Sequence, residues 1–444
     1  GRSLQSSYPQ FKSGCLLFLL KYRFKIMKQI FYAILILLFC TLTAFVLNYF
    51  AFSIDTTNIR SNVEKSVFIL REEGAHTSYA KFPKILSRIY LRDLDNWTDS
   101  TMIFNTFYKN NESTLKQSII VYHPEYDDSN PTESIIKYFD NTSNMKEGTY
   151  PRYWHGYLTI LKPVFNIIDY GQIRFLNLLL QPILFLVLCA MMYKRELKSY
   201  IIPLIISIFV IYPLSTPLSL QFSAVYYITI LSMILMLVFE KQLKNLWIYF
   251  FLLIGIITCY LDFLTYPLVT LGLPLTLYTL KENNKKQAIK NIFLFSIFWA
   301  FGYLGMFFTK WIFASMLINE NIFTESFNQM LYRCSNIAIN EPAPSSFTVI
   351  DVLKSNLKYL FRIPYVFVWV AVIIVNVSLT KKKDLGEKIS SVLPLIIISA
   401  YPIFWFALTQ NHSIIHCDFY SYKILWITVF AILCAFTSVR IYEK

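Results

Sequence analysis

Charged residues are scarce in this 444-residue chain: Asp, Glu, Lys and Arg together make up 15%, against about 25% in soluble domains. That scarcity excludes a chain that keeps its whole surface in water. Cysteine is present but unorganised. Cys15, Cys40, Cys189, Cys259, Cys334, Cys417 and Cys434 are scattered, mostly inside apolar runs, with no Cys-x-x-Cys spacing. Neither a disulfide framework nor a zinc ribbon fits that pattern, and only a Cys334–Cys417 bridge is left open. There is no glycine-rich phosphate loop and no dinucleotide-binding fingerprint, so nothing marks a soluble-nucleotide site. No internal repeat is evident, which weighs against a transporter built of paired halves.

What is abundant is apolar length. The chain is 55% hydrophobic and 18% aromatic, with a mean hydropathy of +0.46. Apolar runs fall at approximately 30–52, 173–193, 200–214, 222–239, 246–261, 264–280, 290–312, 359–380, 390–409 and 421–440. A helix needs about 20 apolar residues to cross a hydrocarbon core of about 30 Å. The expected fold is therefore an all-α polytopic membrane protein with about ten transmembrane helices. The net charge of +14 needs no nucleic-acid partner. With the basic start placed inside, "YKRELKS", "EKQLKN", "KENNKKQAIKN", "TKKKDLGEK" and the tail "RIYEK" all fall on that same side, in accord with the positive-inside rule. Both termini are then cytoplasmic, and the expected location is a bacterial cell membrane. Met27-Lys28-Gln29 reads like a natural start, so residues 1–26 are expected to be an upstream extension or a disordered cytoplasmic leader. The run after it carries no small-residue cleavage site, which favours an uncleaved first span at 27–53 over a signal peptide. Residues 54–172 form a large outer loop, and 173–444 the helical bundle. The stretch "YLTILKPVFNIIDYGQIRFLN" that closes the loop suggests a helix lying in the interface.

The same frame puts the chemically interesting residues outside, including all five histidines: His76, His123, His155, His412 and His416. In "RDLDNWTDSTMIF", Asp93, Asp95 and Asp99 surround Trp97. One reading is a turn and helix cap, since Asp and Asn cap well. The other makes Asp95 or Asp99 a general base, with Trp97 as a stacking face for a sugar. Asp95, Asn96 and Asp99 also form a candidate oxygen cluster for a divalent cation; no other cofactor is expected. In "YPRYWHGY", Arg152 and His155 flank Trp154, either as an aromatic belt with a snorkelling Arg or as a fork for a lipid phosphate. In "NHSIIHCDFYSYK", a helical turn would bring His412 and His416 to one face, with Lys423 further along. A phosphate or pyrophosphate fits these three better than zinc, and hydrogen-bonded helix capping is the plainer alternative. In "YLDFLTYPL", Asp262 stands between two apolar runs with almost no polar company, where an ionisable residue is a functional candidate. "PLSTPLSLQFS" offers Ser215, Thr216, Ser219 and Ser223 in a kinked link that either lines a cavity or only breaks helices.

A first span, a large acidic outer loop, an interfacial helix and many later spans with short outer links together resemble the GT-C class of membrane glycosyltransferases. "LDNWTDSTM", "YPRYWHGY", "YLDFLTYPLVTLG" and "NHSIIHCDFYSYK" look like motifs of bacterial multi-pass proteins of surface-polysaccharide gene clusters, themselves uncharacterised. The resemblance implies transfer of a sugar from a polyprenyl-phosphate donor to a cell-surface glycan or lipid acceptor on the outer face, commonly with inversion. It implies an Asp base in the first outer loop: Asp95 first, then Asp99, with Asp55 of "FSIDTTNIR" third. The paired-acid motif that the class carries directly after its first span is absent. Trp97, Arg152, Trp154, His155, Asp262, His412, His416 and Lys423 are the expected substrate-binding residues. The physical logic stands beside the name, because a departing lipid phosphate gains negative charge that cations and imidazoles would stabilise. The competing classes are a flippase or transporter of a lipid-linked saccharide, and a polysaccharide polymerase or ligase.

Overall fold

The computed structural model describes residues 10–76, 94–339, 344–362, 365–379 and 385–442. Asp93, most of the "TKKKDLGEK" cluster and the last two tail residues lie outside the described residues. The chain is 76% helix, and its one sheet among the described residues is a two-stranded antiparallel pair, β1 (Tyr122–Glu125) and β2 (Lys146–Thr149), in register Tyr122↔Thr149.

Among the described residues six helices are long and apolar enough to cross a membrane: Ile26–Ser53, Tyr170–Lys194, Leu220–Val238, Lys285–Ile318, Ser390–Leu408 and Ser421–Arg440. A seventh is reached if the bent pair Val349–Phe361 and Tyr365–Ile374 counts as one. The expected ten runs are all helical over much of their length, but several are too short to span alone. Trp247–Leu261, at 15 residues, is about 22 Å long at 1.5 Å per residue, and Val269–Lys281 is shorter still. The run at 200–214 breaks into Ile201–Ser207 and a 3-10 turn that ends at Tyr212, whose φ of 53° is left-handed.

The outer loop folds around a core of its own. Helix α1 (Gln10–Ser53) leads into α2 (Thr57–Glu73), whose Ile59, Val63, Val67 and Leu70 recur at helical spacing on one buried face. They pack on Met102, Ile103, Phe104 and Phe107 of α3 (Asn96–Phe107), and on Leu158 and Phe165 of α6 (Leu158–Phe165). Between α3 and α6 run α4 (Thr114–Ile120) and α5 (Pro131–Phe139), the latter opened by an Asn130–Glu133 capping box with Pro131 in its first turn. The expected interfacial helix is thus only the eight residues of α6. The second long apolar helix, α7 (Tyr170–Lys194), already begins at a second capping box formed by Asp169 and Gln172.

Beyond it lie α8 (Ile201–Ser207), α9 (Leu220–Val238), α10 (Trp247–Leu261), α11 (Val269–Lys281) and α12 (Lys285–Ile318). Helices α10 and α12 cross backbone to backbone. A Cβ on Gly255 would strike the Trp299 carbonyl, and one on Gly302 the Leu252 carbonyl, the close approach that small residues permit between apolar helices. Helix α13 (Ile322–Cys334) caps the same end of the bundle as the outer unit. It is held there by Arg152–Glu325 at 2.8 Å and Lys116–Glu320 at 3.3 Å. Two buried lysines fasten the unit as well. Lys310 Nζ donates to the Ile119 carbonyl and Lys162 Nζ to the Thr106 carbonyl, each at 2.9 Å. The basic links gather at the opposite end, where Lys281 pairs with Glu240 at 2.7 Å and Arg195 approaches the same carboxylate at 3.9 Å.

Candidate functional site

Asp95 stands immediately before α3 and caps it, accepting from the Thr98 amide at 3.1 Å and the Thr98 hydroxyl at 3.0 Å. Its Oδ2 also accepts from the Gln221 side chain. The capping reading and the functional reading therefore meet in one residue. Only 5% exposed, its carboxyl is pushed above the ordinary carboxylate range by burial, while the Thr98 amide, Gln221 and nearby His76 hold it back. Trp97, 45% exposed, stacks at 6.0 Å on His76, which leans on Phe419 at 4.7 Å.

Asp99, one turn on, faces the bundle instead. Its Oδ2 accepts from the Tyr170 hydroxyl at 2.7 Å and the Leu220 amide at 2.8 Å. Its Oδ1 accepts from the Ser219 hydroxyl at 3.1 Å and the Gln221 amide at 3.2 Å. The carboxylate thus closes the open N-terminus of α9, where a negative charge is favoured, although full burial pushes it up to about 6. Asn96 is engaged elsewhere: it donates to Glu73 and accepts from Arg174, each at 2.9 Å. Asp95, Asn96 and Asp99 are therefore turned onto three different sets of partners, and the Asn96 oxygen faces a guanidinium, which does not fit a shared divalent cation. Among the described residues no three His, Cys, Asp or Glu side chains converge as a metal site. Asp55 sits far from this cluster in sequence, exposed at the end of α1. It accepts from the Thr57 amide and hydroxyl, which lower its carboxyl below the usual range.

The "YPRYWHGY" segment is wedged between the outer unit and the bundle. Gly156 donates to the Tyr260 carbonyl at 2.9 Å, and a Cβ there would collide with it. Trp154 is fully buried and donates to the Met306 carbonyl at 2.8 Å. His155 is spent on internal bonds: Nε2 with the Tyr150 carbonyl at 2.7 Å, Nδ1 with the Tyr157 hydroxyl at 3.0 Å. Burial drives the imidazole down to about 3, so it is a neutral strut. Arg152 alone of the expected residues in this segment keeps a partly open head group, lying over the Tyr150 ring at 4.9 Å while paired to Glu325.

His412 belongs to the short helix Gln410–Ile415, and its ring meets His416 at 4.8 Å, edge to face; His416 stacks on Tyr420 at 4.6 Å. The expected shared face is present. Both imidazoles are held neutral, His412 at about 3, by burial and by the positive charge of Arg333. His412 Nε2 has no hydrogen-bond partner among the described residues. Lys423 lies apart, 1% exposed, donating to the Ile211 carbonyl at 2.9 Å with its ammonium 4.3 Å from the Phe222 ring centre. It fastens the link after α8 rather than completing the imidazole pair. No disulfide joins Cys334 to Cys417.

Asp262 closes α10 in the break before α11. It accepts from the Thr265 amide at 3.0 Å and from the Thr265 hydroxyl. Burial pushes its carboxyl up to about 7. The following Leu264 adopts a left-handed φ of 59°, and its carbonyl is the group that favours a charged His412.

These pieces meet around Tyr420. Asp95, Arg333, Tyr150 and Tyr153 all lie close enough to bias its ionisation electrostatically, and Asp262 and Arg333 likewise act on Tyr153. Asp95 from the outer unit, Arg333 from α13 and the two neutral imidazoles of the Gln410–Ile415 helix and its cap thus come together at Tyr420, and Asp262 of the α10–α11 break adjoins them through Tyr153. The chain matches no family model, no curated protein and no solved structure. The sequence puts His76 on the outer face but gives it no role, and it does not single out Arg333 or Tyr420. Arg333 is the basic residue in the last turn of an amphipathic helix, with no motif around it, and only the fold brings it to the imidazoles.

Proposed function

We propose that the protein is a membrane glycosyltransferase that moves a sugar from a polyprenyl-phosphate donor to a cell-surface glycan or lipid acceptor, at the end of the bundle that faces away from the cytoplasm. The convergence at Tyr420 carries this reading. Asp95 offers a raised, sheltered carboxylate whose Oδ1 accepts, among the described residues, one hydrogen bond, from the Thr98 amide. The positive charge of Arg333 acts across the same space on His412, His416 and Tyr420.

In the proposed step Asp95 takes the proton of the acceptor hydroxyl as that oxygen bonds to the anomeric carbon. The bond from that carbon to the phosphate oxygen breaks, and its electron pair leaves with the lipid phosphate. Arg333 stabilises that growing charge. Trp97, the exposed aromatic beside His76, offers a face for the sugar or the acceptor. A single base at the attacking oxygen implies inversion at the anomeric carbon. Placing the acids outside also fits a donor whose lipid tail lies between helices.

Purified protein in liposomes, given polyprenyl-phosphate sugars and a glycan acceptor, tests this reading. Wild type should transfer sugar, and Asp95→Asn should lose at least about a hundredfold in rate per mole of folded protein. Full activity in Asp95→Asn removes Asp95 as the base. Translocation of a lipid-linked saccharide without transfer replaces the enzyme reading with that of a flippase.

A further inference from the structure

At the end of the molecule opposite Tyr420, a cavity of about 910 Å³ opens among the ends of α7, α9, α10, α11 and α12 and the start of the first apolar span at Gln29. Four cations line it, Arg195, Lys241, Lys244 and Lys281, against two carboxylates, Glu240 and Glu282. Glu240 is shared between Lys281 and Arg195. Glu282 is held by the Tyr278 hydroxyl at 3.2 Å and the Asn284 amide at 2.9 Å. Lys241 and Lys244 remain exposed at the rim and form no ion pair among the described residues. The inner wall is apolar, with Met236, Leu277 and Phe295, and Trp247 meets Tyr278 edge to face at 5.6 Å. Just outside, Ile30, Phe239 and Phe293 are 48%, 45% and 54% exposed, the surface that acyl chains would cover.

We infer that this cavity binds the head group of an anionic glycerophospholipid from the leaflet at the basic end. A cationic rim over an apolar wall suits an amphiphile, whereas a soluble nucleotide would find neither a glycine-rich cradle nor a polar floor. The phosphate lies between Lys241 and Lys244, and the chains run out over Phe239 and Phe293. Basic pockets between helix ends on the cytoplasmic side hold such head groups through charge and hydrogen bonds. The inference is independent of the outer site, since none of the residues used there lines this cavity.

The full chain, purified in neutral detergent, is titrated with phosphatidylglycerol, with phosphatidylcholine and with inorganic phosphate. Bound lipid is counted by native mass spectrometry, and the thermal midpoint is followed in parallel. Wild type should retain phosphatidylglycerol and rise in midpoint, with no response to phosphatidylcholine. In Lys241→Gln/Lys244→Gln the apparent affinity should fall about thirtyfold, each lysine near an anionic head group contributing about fivefold. Lys65→Gln, which removes one positive charge from the outer unit, should leave binding unchanged. Equal binding by the double variant, or an equal response to phosphatidylcholine, overturns the inference. So does displacement of the lipid by millimolar inorganic phosphate, which would make the site one for a soluble anion.

Discussion

Among the described residues four donors fall on Asp99 and three on Asp95, and that difference separates a fastening residue from one proposed for chemistry. Asp99→Asn sets an amide NH₂ against two of its donors, so it should lower stability by about 2–4 kcal/mol, read as a fall in thermal midpoint and folded yield. Asp95→Asn keeps the cap at Oδ1 and sets its NH₂ only against the Thr98 hydroxyl and the Gln221 amide, which can turn where the backbone amides on Asp99 cannot. Its midpoint should therefore fall less than that of Asp99→Asn while transfer is lost. A pH series adds a second reading of Asp99. Its carboxyl lies at about 6 in the folded protein against 3.8 for the free group, so the folded state binds the proton more tightly. That contribution to stability is complete below about pH 4 and is lost as pH rises through about 6. It amounts to about 3 kcal/mol. The difference in midpoint between wild type and Asp99→Asn should therefore change between pH 4 and 7 and level off above. A flat difference would mean that Asp99 is ionised throughout. The acidic stretch was visible in the sequence as a cluster, but its division of labour was not. Residue type and spacing do not reveal that Ser219, Leu220 and Gln221, some 120 positions away, supply the partners.

Helix by helix, the apolar runs were legible because burial in hydrocarbon leaves a long unbroken signature. Their lengths in space were less so, since a proline, a 3-10 turn or a left-handed residue such as Tyr212 shortens a helix without interrupting its apolar composition. The α10–α11 break shows the consequence. Two helices too short to span leave Asp262 and the Leu264 carbonyl at a place where irregular backbone is tolerated only when protein encloses it. The outer unit reaches that break through Gly156, which has no room for a side chain against the Tyr260 carbonyl. Gly156→Val should part "YPRYWHGY" from α10, lowering stability by about 1–3 kcal/mol through overpacking. Gly255→Val, at the α10–α12 crossing, should be comparably destabilising. If the break supports the site, Gly156→Val should also depress transfer beyond what its folded fraction explains, measured as rate per mole of folded protein.

Taken whole, the molecule has two chemically opposite ends. Asp95, Asp262, Arg333 and the imidazoles gather at one, while the basic links converge on Glu240 and the cavity at the other. This division was readable from loop composition alone, because lysine-rich links alternate with acid- and histidine-bearing ones along the chain. A bilayer between the two ends would explain both: the proposed orientation retains the cations on the cytoplasmic side and keeps the proposed reaction from soluble nucleotides. Single cysteines at Asn111, exposed on the outer unit, and at Asn283, exposed in the basic link after α11, test it directly. In intact cells a membrane-impermeant maleimide should label Asn111→Cys fully. Asn283→Cys should react only after permeabilisation, against a background set by wild type. Labelling of both from the same side would place the acids and the basic links in one compartment. The polyprenyl-phosphate reading would then lose its reason, since the site would stand open to the cytoplasmic nucleotide pool.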